Sequence, residues 1–446
     1  MRIVIIGAVA GGMSAASKLR RLDSKSDIVV FEKGEDVSYG ACGLPYYLSG
    51  EVESDQTLVA RTPEKFREKG IDLRLRHEAT EVNPKKKTVS VHDHEKNETK
   101  EEPYDKLLIA TGASAIRLPI EGRELGNIHT LSSLEDGRTL HAALRRDDVK
   151  HVTLIGAGYI GVEVSEALRA LNLEVTMVEQ TPHVLPNFTA MVGETVEKTL
   201  RENGVDLRLS ETVKAYQGDK NVKTVITDKG RIETDLVIEA IGVRPNTAFL
   251  ESSGIERLGN GAILVNAKME TNLPDIYAAG DVAAMPNRLT GQASYLPLGT
   301  HANKAGRIVA ERLAGMDSLF EGVIGSTVLK AFDLEVARTG LTAGEAEKSE
   351  RFEVKTTTVK APDRSGYYPG ATPIEIKLFH DQKTCRLLGC EMVGKSGVAH
   401  RINIMATAIS TGLTARAFSQ LDLAYAPPFS PVWDPLQTAC NQIKCG

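Results

Sequence analysis

The stretch VTLIGAGYIG at residues 152–161 decides the fold of this chain. Its first four residues predict a buried strand, and the glycines that follow have the spacing Gly-x-Gly-x-x-Gly and lead into a helical pattern. Such glycines permit a tight turn, close approach of the backbone to a pyrophosphate, and close packing of helix on strand. The next apolar run ends in Glu179, which can bond a ribose 2′-hydroxyl but repels a 2′-phosphate. We therefore expect a nicotinamide dinucleotide here, with NADH favoured over NADPH.

An earlier segment repeats this pattern. A short strand leads into GAVAGG at residues 7–12, a helical stretch runs to about Leu22, and the next apolar run ends in Glu32. Val9 replaces the middle glycine, so this copy alone is a weaker signal. Two such βαβ units predict an α/β fold with two doubly wound, parallel-sheet domains. After Phe320, alternating strands precede a helix, which indicates a third, α+β domain.

Composition excludes several classes of protein. The 446 residues carry a net charge of −5, with 41% hydrophobic and 25% charged residues, as in ordinary soluble proteins. The acidic balance argues against a nucleic-acid partner, and no apolar run approaches the roughly 20 residues that span a bilayer. The N-terminus enters a strand directly, without the features of a signal peptide, and five cysteines make no disulfide framework. We expect a cytoplasmic protein without nucleic-acid or membrane partners, and we predict no metal site.

Two further strand ends point to the dinucleotide of the first unit. LLIATG at residues 107–112 ends in Thr-Gly, and the strand in IYAAGDV at 276–282 ends in Gly-Asp. Both resemble signatures of two-dinucleotide-binding flavoproteins, in which the aspartate bonds the ribityl chain of FAD. GVRPN at 242–246 resembles the linker that closes the nicotinamide domain in the same group. The resemblance implies FAD in the first unit and NAD(P)H in the second.

A lone cysteine lies between the two nucleotide patterns, in SYGACGLPY at residues 38–46. A reductase that reduces an internal disulfide needs two cysteines close together here, so the partner sulfur of Cys42 must come from elsewhere. Pro45 suits the first turn of a helix, and a thiol at a helix N-terminus has its thiolate stabilised by the dipole. We therefore expect a lowered pKa and a nucleophilic Cys42. The alternative is a buried structural cysteine.

These motifs together resemble the coenzyme A disulfide reductases, the single-cysteine group of the pyridine nucleotide–disulfide oxidoreductase superfamily. The turn at 7–12 resembles that family's FAD turn, including Val9. In related NADH peroxidases and oxidases a histidine occupies the position of Ala10, so its absence argues against peroxidase activity. In the family, the thiol at the Cys42 position forms a mixed disulfide with coenzyme A.

The resemblance implies a domain plan and a set of nucleotide contacts. Residues 1–112 and 245–320 form a discontinuous FAD-binding domain, 113–244 the NAD(P)H-binding domain, and 321–446 a C-terminal dimerisation domain. The implied FAD contacts are Gly7, Gly11, Gly12, Glu32, Lys33, Thr80, Thr111, Gly112, Gly280, Asp281 and Tyr425. The implied NAD contacts are Gly156, Gly158, Tyr159, Ile160, Gly161, Glu179 and Gly242. Tyr159 is expected to shield the flavin until nicotinamide displaces it.

Coenzyme A carries several phosphate charges, so its site needs cations. The resemblance places it along the helix after the first glycine turn and beside Cys42. The implied contacts are Ser14, Lys18, Arg21, Ser38, Cys42, His301 and Arg307. The alternative for the charged residues is an ordinary solvated helix face.

Two segments of the C-terminal part resemble the family's dimer-interface motifs, GYYPG at 366–370 and LAYAPPFSP at 423–431. In the family, two tyrosines of the partner subunit reach into the active site, and Tyr367 and Tyr425 are the matching positions. A phenol near a departing thiolate can donate a hydrogen bond or a proton. We expect a homodimer with shared active sites; the alternative is a pair of interface tyrosines without a chemical role.

The predicted function is an FAD-dependent reductase that uses NADH, or NADPH, to reduce coenzyme A disulfide or coenzyme A persulfide through Cys42. Studied family members carry Phe and Asn where this chain has Tyr39 and Ala41, and a subgroup with YGACGLPY includes enzymes proposed to reduce persulfide, polysulfide or sulfur. One alternative is an NADH oxidase that uses a Cys42 sulfenate. Another is an electron-transfer flavoprotein that serves a protein partner.

The other cysteines need a separate interpretation. Cys385 and Cys390 have the Cys-x4-Cys spacing of a redox disulfide, but they lie far from either nucleotide pattern, so we predict packing roles. Cys440 and Cys445 near the C-terminus could instead form a dithiol shuttle like that of mercuric or thioredoxin reductases.

Overall fold

The computed structural model describes residues 1–444. They form two parallel sheets flanked by helices, followed by an antiparallel sheet with its own helices. The predicted α/β class, with two doubly wound units and a C-terminal α+β unit, is confirmed. Cys445, one half of the dithiol shuttle considered above, lies outside the described residues.

The first parallel sheet has the strand order β19-β7-β1-β2-β3. Its strands are β1 (Arg2–Ile6), β2 (Asp27–Phe31), β3 (Asp72–Arg74), β7 (Lys106–Ile109) and β19 (Ile276–Ala278). Helices α1 (Ala10–Leu22) and α7 (Gly299–Leu313) pack against each other beside it. Between β3 and β7 the chain makes an antiparallel sheet of β4 (His77–Asn83), β5 (Thr88–Asp93) and β6 (Glu98–Pro103). The unbroken apolar runs suit strands that are covered on both faces.

The second parallel sheet has the order β12-β11-β10-β16-β9. Its strands are β9 (Ile128–His129), β10 (His151–Ile155), β11 (Glu174–Val178), β12 (Val205–Arg208) and β16 (Leu236–Glu239). The accompanying helices are α4 (Leu134–Leu144), α5 (Tyr159–Ala170) and α6 (Ala190–Glu202). A small antiparallel sheet contains β13 (Val213–Gly218), β14 (Val222–Thr227) and β15 (Arg231–Glu233). This unit therefore repeats the architecture of the first.

A two-stranded antiparallel ribbon carries the chain from the first unit into the second and back. It pairs β8 (Ala113–Ala115) with β17 (Val243–Pro245). The remaining elements of this half are helices α2 (Leu44–Ser49) and α3 (Pro63–Arg67), with strands β18 (Ile263–Leu264), β20 (Ala283–Pro286) and β21 (Ala293–Ser294). The second unit is thus inserted into the first at a single place.

The C-terminal sheet is antiparallel throughout, in the order β22-β23-β26-β25-β24. Its strands are β22 (Thr327–Ala331), β23 (Leu334–Gly340), β24 (Val354–Pro362), β25 (Pro373–Asp381) and β26 (Leu387–Gly394). The helices are α8 (Ala343–Glu347), α9 (Val398–Thr411), α10 (Ala415–Ser419) and α11 (Pro435–Asn441). Its edge strand β22 packs against α5 of the second unit.

Two cysteines lie in the core of the C-terminal unit. Cys390, in β26, is a free thiol without solvent exposure, and Cys440, in α11, is free and 3% exposed. Burial raises the pKa of both thiols, that of Cys440 to about 12. The packing role predicted for Cys390 is confirmed, whereas that predicted for Cys385 is wrong because Cys385 is disulfide-bonded. Cys440 is too buried to serve as an exposed shuttle thiol.

Three glycines allow backbones to approach more closely than any side chain would permit. A Cβ on Gly12 would lie 1.9 Å from the Gly7 carbonyl oxygen, and one on Gly161 would lie 2.1 Å from that of Gly156. A Cβ on Gly306 of α7 would lie 2.2 Å from the carbonyl oxygen of Gly11 in α1. The first two contacts set each helix on its strand, and the third sets α7 directly against α1.

We predict that Gly306→Ala destabilises the protein because the new methyl group cannot avoid the backbone of α1. Overpacking of this kind costs about 1–3 kcal/mol or more. The measurement is the midpoint of thermal unfolding followed by circular dichroism. The matched control is Gly344→Ala in α8, where no atom lies within 4 Å of the added Cβ. A Gly306→Ala midpoint equal to that of the control would contradict the prediction.

Candidate active site

The first glycine turn joins β1 to α1 and is closed by a carboxylate. The Ala8 N–H donates to Glu32 Oε2 at 2.8 Å, and the Gly34 N–H donates to Oε1 at 2.9 Å. Gly7 has a φ of 101°, which favours glycine. The turn therefore places a helix N-terminus beside an acceptor for ribose hydroxyls, as a dinucleotide site requires.

The end of β19 brings a second glycine to this turn. Gly280 has a φ of 84°, and a Cβ there would lie 3.9 Å from Gly11 Cα and 3.6 Å from Ala302. The Oδ1 atom of the next residue, Asp281, is buried and has no hydrogen-bond partner within residues 1–444. Burial raises the pKa of Asp281 to about 6. The phenol oxygen of Tyr295 is also buried without a partner. An orphaned carboxylate oxygen in this place fits a group that supplies hydroxyl donors, as the ribityl chain of FAD does.

Four other residues predicted to contact FAD are placed around the first unit. Thr111 Oγ1 donates to the Asn246 carbonyl oxygen at 2.8 Å, and Gly112 follows with a φ of 65°. Thr80 is exposed, and its hydroxyl bonds the neighbouring strand, while Lys33 is exposed directly after Glu32. The Thr111 and Thr80 hydroxyls thus donate within the protein, and their oxygen atoms can still accept a hydrogen bond from a ligand.

The second glycine turn repeats the first with one more hydrogen bond to its carboxylate. The Ala157 N–H donates to Glu179 Oε2 at 2.8 Å, and both the N–H and the hydroxyl of Thr181 donate to Oε1 at 2.9 Å. No atom lies within 4 Å of a Cβ built on Gly158, so this position is open on the side where the predicted pyrophosphate binds. Gly242, at the return to the ribbon, has a φ of 112°.

Tyr159 and Ile160 open helix α5, and both are half-buried. The Tyr159 hydroxyl lies 3.1 Å from Thr327 Oγ1 of the C-terminal unit, and its ring centroid lies 5.9 Å from that of Phe188. The ring therefore lies between the second and third units, beside the open second turn.

Cys42 lies in a 3₁₀ turn, Ala41–Gly43, immediately before α2, and is exposed to solvent. The predicted lowering of the Cys42 pKa is wrong, because the surroundings of the thiol in the protein raise it. Desolvation raises the pKa of the thiol, and the carboxylates of Glu163 and Asp281 raise it further. The physical reason is that α2 has only six residues and begins after the cysteine, so its dipole is outweighed by desolvation of the thiol and, after that, by the two nearby carboxylates.

The sequence analysis missed two residues beside Cys42. Glu163 of α5 is in contact with Tyr46 of α2, whose phenol donates to Glu163 Oε1 at 3.4 Å. Burial raises the pKa of Glu163 to about 7, and the charge of Glu166 adds to the shift. One signal was present: Glu163 follows Tyr159 by four residues, so both lie on one face of the helix. Its proximity to Cys42 was not readable, because α2 and α5 are distant in sequence.

The residues predicted to bind coenzyme A lie mostly along the contact between α1 and α7. The Ser14 hydroxyl donates to Asn303 Oδ1 at 2.6 Å, and Lys18 forms an ion pair with Glu311 at 3.1 Å. Arg21 and Arg307 are exposed on the same two helices, at helical spacing from Lys18 and Glu311. The cations are therefore brought together, with one carboxylate among them.

Two other predicted coenzyme A contacts do not lie among these exposed cations of α1 and α7. His301 is 8% exposed, and its Nδ1 lies 3.3 Å from the Leu296 carbonyl oxygen. Burial lowers the pKa of His301, so it does not supply a cation at neutral pH. Ser38 has a φ of 51°, and its N–H donates to the Ala8 carbonyl oxygen at 2.9 Å, which ties the segment before Cys42 to the first glycine turn.

Tyr367 and Tyr425 come together on the C-terminal unit, with their hydroxyl oxygens 3.4 Å apart. Tyr367 is 77% exposed, and neither phenol hydrogen-bonds to Cys42 in residues 1–444 of one chain. Phe429 and Trp433, from the same segment as Tyr425, are 78% and 56% exposed. Large apolar side chains so exposed are typical of a protein–protein interface.

The described residues contain no further cofactor-type cluster. Within residues 1–444, no group of three or more His, Cys, Asp or Glu side chains is arranged to hold a metal ion. None of the helices there combines the length and the apolar composition needed to cross a bilayer. The candidate site therefore consists of the two glycine turns, Cys42 and the polar groups around them.

Two family models match the chain, one over the two units that carry the glycine turns and the other over the C-terminal unit. The model of the pyridine nucleotide-disulphide oxidoreductases matches residues 1–306, and that of the dimerisation domain of the same family matches residues 327–435. The chain belongs to the pyridine nucleotide-disulphide oxidoreductases. Membership implies FAD and NAD(P)H as cofactors, and the dimerisation domain indicates a homodimer.

The relatives of this oxidoreductase are similar along nearly the whole chain. The NAD(P)H coenzyme A polysulfide/persulfide reductase of Pyrococcus horikoshii is 39% identical over 445 residues, which cover 99% of this chain and 98% of that protein. The coenzyme A disulfide reductase of Staphylococcus aureus strain bovine RF122 is 37% identical over 432 residues, 96% of each. The solved water-forming NADH oxidase of Lactobacillus brevis, bound to NADH, has a TM-score of 0.95 at 29% identity and covers 99% of this chain and 97% of that one. The resemblance inferred from the motifs is confirmed.

We predict that Glu163→Gln stabilises the oxidoreductase at pH 8 but not at pH 4. Because the folded-state pKa of Glu163 is raised from 4.5 to about 7, its stability contribution is lost as pH rises through this window. At pH 8 the buried charge costs about 3 kcal/mol, which glutamine removes. The measurement is the midpoint of thermal unfolding at both pH values. The exposed Glu194→Gln serves as control, and an equal shift in both variants would contradict the prediction.

Proposed function

We propose that this chain is an FAD-dependent reductase that uses NADH to reduce coenzyme A disulfide, or a coenzyme A persulfide or polysulfide, through Cys42. The observation that carries the proposal is one exposed thiol, placed at the start of α2 between two dinucleotide-type turns. The other described cysteines all belong to the C-terminal unit: Cys390 and Cys440 are buried there, and Cys385 lies between β25 and β26. The disulfide partner of Cys42 is therefore an external sulfur. The names of the Pyrococcus and Staphylococcus relatives support the same chemistry.

The first unit fits FAD, and the second fits NADH. Asp281 would bond the ribityl hydroxyls, Glu32 the ribose, and the turn at 7–12 the pyrophosphate. Glu179 and the turn at 156–161 would hold the nicotinamide dinucleotide in the same way. Bound FAD supplies the chemistry that accepts a hydride and passes on an electron pair.

Cys42 carries the substrate chemistry. Its thiolate attacks one sulfur of coenzyme A disulfide, a bond forms between Cys42 Sγ and that sulfur, and the other coenzyme A leaves as a thiolate. The two electrons of the cleaved sulfur–sulfur bond leave with the departing thiolate, which then takes up one proton. Because desolvation and the carboxylates of Glu163 and Asp281 raise the pKa of Cys42, its neutral thiol is favoured in the protein without substrate.

The coenzyme A phosphates would lie along α1 and α7. Lys18, Arg21 and Arg307 supply the cations, and Ser14 supplies a hydroxyl. Ser38 would support the reactive end of the substrate through its fixed backbone rather than through its side chain. His301, which is buried and bonded to the main chain, would shape the wall of this site rather than contact a phosphate.

A homodimer would complete the site. Tyr367 and Tyr425 of one copy would reach Cys42 of the other, and Tyr425 would also face its flavin. The exposure of both phenols and of Phe429 supports this, because such a surface is covered in an assembled protein. In that position a phenol would donate a proton or a hydrogen bond to the departing thiolate.

We predict that Cys42→Ser abolishes turnover of coenzyme A disulfide while NADH still bleaches the flavin. Serine cannot form the mixed disulfide, whereas the nucleotide sites are unchanged. The measurement is anaerobic NADH consumption on adding coenzyme A disulfide, with two thiols released per NADH in the wild type. Cys42→Ala is the second variant, and retained thiol release in either variant would refute the role of Cys42.

We predict that Glu179→Gln lowers the preference for NADH over NADPH at least about tenfold, since removing one like charge beside a 2′-phosphate is worth more than 1.4 kcal/mol. The measurement is the ratio of kcat/KM for the two nucleotides. Glu32→Gln is the matched control, because Glu32 occupies the same position in the first turn. That variant is expected to weaken FAD retention without changing the ratio. An unchanged ratio of kcat/KM for NADH and NADPH in Glu179→Gln would show that this carboxylate does not select the nucleotide.

A second candidate is an NADH oxidase with Cys42 as a sulfenate. The likeness to the Lactobacillus brevis water-forming oxidase, at a TM-score of 0.95, favours it. The same anaerobic assay separates the two functions. Thiol release without air supports the reductase, whereas NADH loss that begins only when oxygen is admitted supports the oxidase.

A further inference from the structure

Tyr159 is bonded to a different unit from the one that carries it. The residue opens α5 of the second unit, whereas Thr327 is the first residue of β22, the edge strand of the C-terminal sheet. Their hydroxyl oxygens lie 3.1 Å apart. Within residues 1–444, this is the only hydrogen bond that the Tyr159 side chain makes. The orientation of the ring therefore depends on a residue that belongs to neither nucleotide turn.

The other neighbour of the Tyr159 ring is held more firmly. Phe188, 5.9 Å from it between ring centroids, lies under the guanidinium of Arg338 at 6.0 Å. The next residue, Thr189, donates its N–H and its hydroxyl to Glu391 Oε2 at 3.0 and 2.6 Å. Arg338 and Glu391 are 5% and 1% exposed. The C-terminal sheet thus fixes the loop around Phe188 through two buried charged groups.

The two contacts differ in strength. Hydrogen bonds to a buried carboxylate are stronger than a bond between two neutral hydroxyls, and breaking them leaves a buried charge unpaired. The bond of Tyr159 to Thr327 is therefore the weaker of the two contacts, and the loop that carries Phe188 is the more firmly held neighbour of the Tyr159 ring.

We propose that Thr327 is a positioning residue that holds Tyr159 over the nicotinamide end of the second site, so that nicotinamide binds only after this bond breaks. The inference rests on the proposed function, which assigns that site to NADH. A ligand that needs the open form binds with an affinity reduced by the open fraction. Removing the bond raises that fraction, whereas a ligand without a nicotinamide ring is unaffected.

The test compares two ligands on the FAD-loaded enzyme by isothermal titration calorimetry, which measures binding rather than turnover. NAD⁺ carries the ring, and ADP-ribose lacks it. We expect Thr327→Val to bind NAD⁺ about 2- to 12-fold more tightly, the equilibrium factor of one ordinary hydrogen bond. Binding of ADP-ribose is expected to stay unchanged, as is binding of both ligands to Thr327→Ser, which retains the hydroxyl.

Two further variants test whether the effect comes from the bond between Tyr159 and Thr327. Tyr159→Phe removes the same bond from the other side, so it should tighten NAD⁺ binding by a similar factor, and the double variant should add nothing further. Thr358→Val replaces an exposed threonine of the same sheet and should change neither affinity.

The outcomes separate the inference from the proposed function. An unchanged ratio of NAD⁺ to ADP-ribose affinity in Thr327→Val overturns the inference and leaves the nucleotide site standing. Weaker NAD⁺ binding also overturns it, because Thr327 would then contact the nicotinamide itself. If the wild type binds neither ligand, the proposed NADH site is refuted, and the inference about Thr327 is refuted with it.

Discussion

Leu44 and Leu48 are buried in the core of the second unit, although the chain supplies them from the first. Leu329 and Val336 of the C-terminal sheet join the same cluster. One apolar core therefore ties the three units together through the short helix that follows Cys42. Because close-packed cores tolerate little displacement, the thiol is fixed relative to both glycine turns. The geometry of the site depends on this contact more than on any polar bond within it.

The charges around the thiol oppose its ionisation. Glu163 and Asp281, which together with desolvation raise the pKa of Cys42, come from different units. The cations lie along α1 and α7, where a polyanionic substrate would bring its own negative charge. Under the proposed function the resting thiol of Cys42 is therefore neutral, and a neutral thiol is less prone to adventitious oxidation than a thiolate.

The sequence predicted what is local. Each glycine turn, with Glu32 or Glu179 at the end of the next strand, is specified within one βαβ unit, and so is the α/β class. The features that were missed arise where elements distant in sequence meet. The place of Glu163 beside Tyr46 and the bond from Tyr159 to Thr327 are of this kind. The predicted pKa shift of Cys42 was wrong for the same reason, because tertiary packing both desolvates the thiol and brings the carboxylates of Glu163 and Asp281 near it.

The ribbon of β8 and β17 has a consequence for how the chain folds during synthesis. Every strand of the second sheet comes from residues 128–239, whereas the first sheet needs β19, at 276–278, to pair with β7. The inserted unit therefore finishes its sheet on the ribosome before the unit that surrounds it. Because β8 and β17 pair with each other, the folded insert brings together the two chain ends that flank it. The entropic cost of closing this long loop is therefore met before the surrounding unit folds. The later unit then folds around a partner already in place.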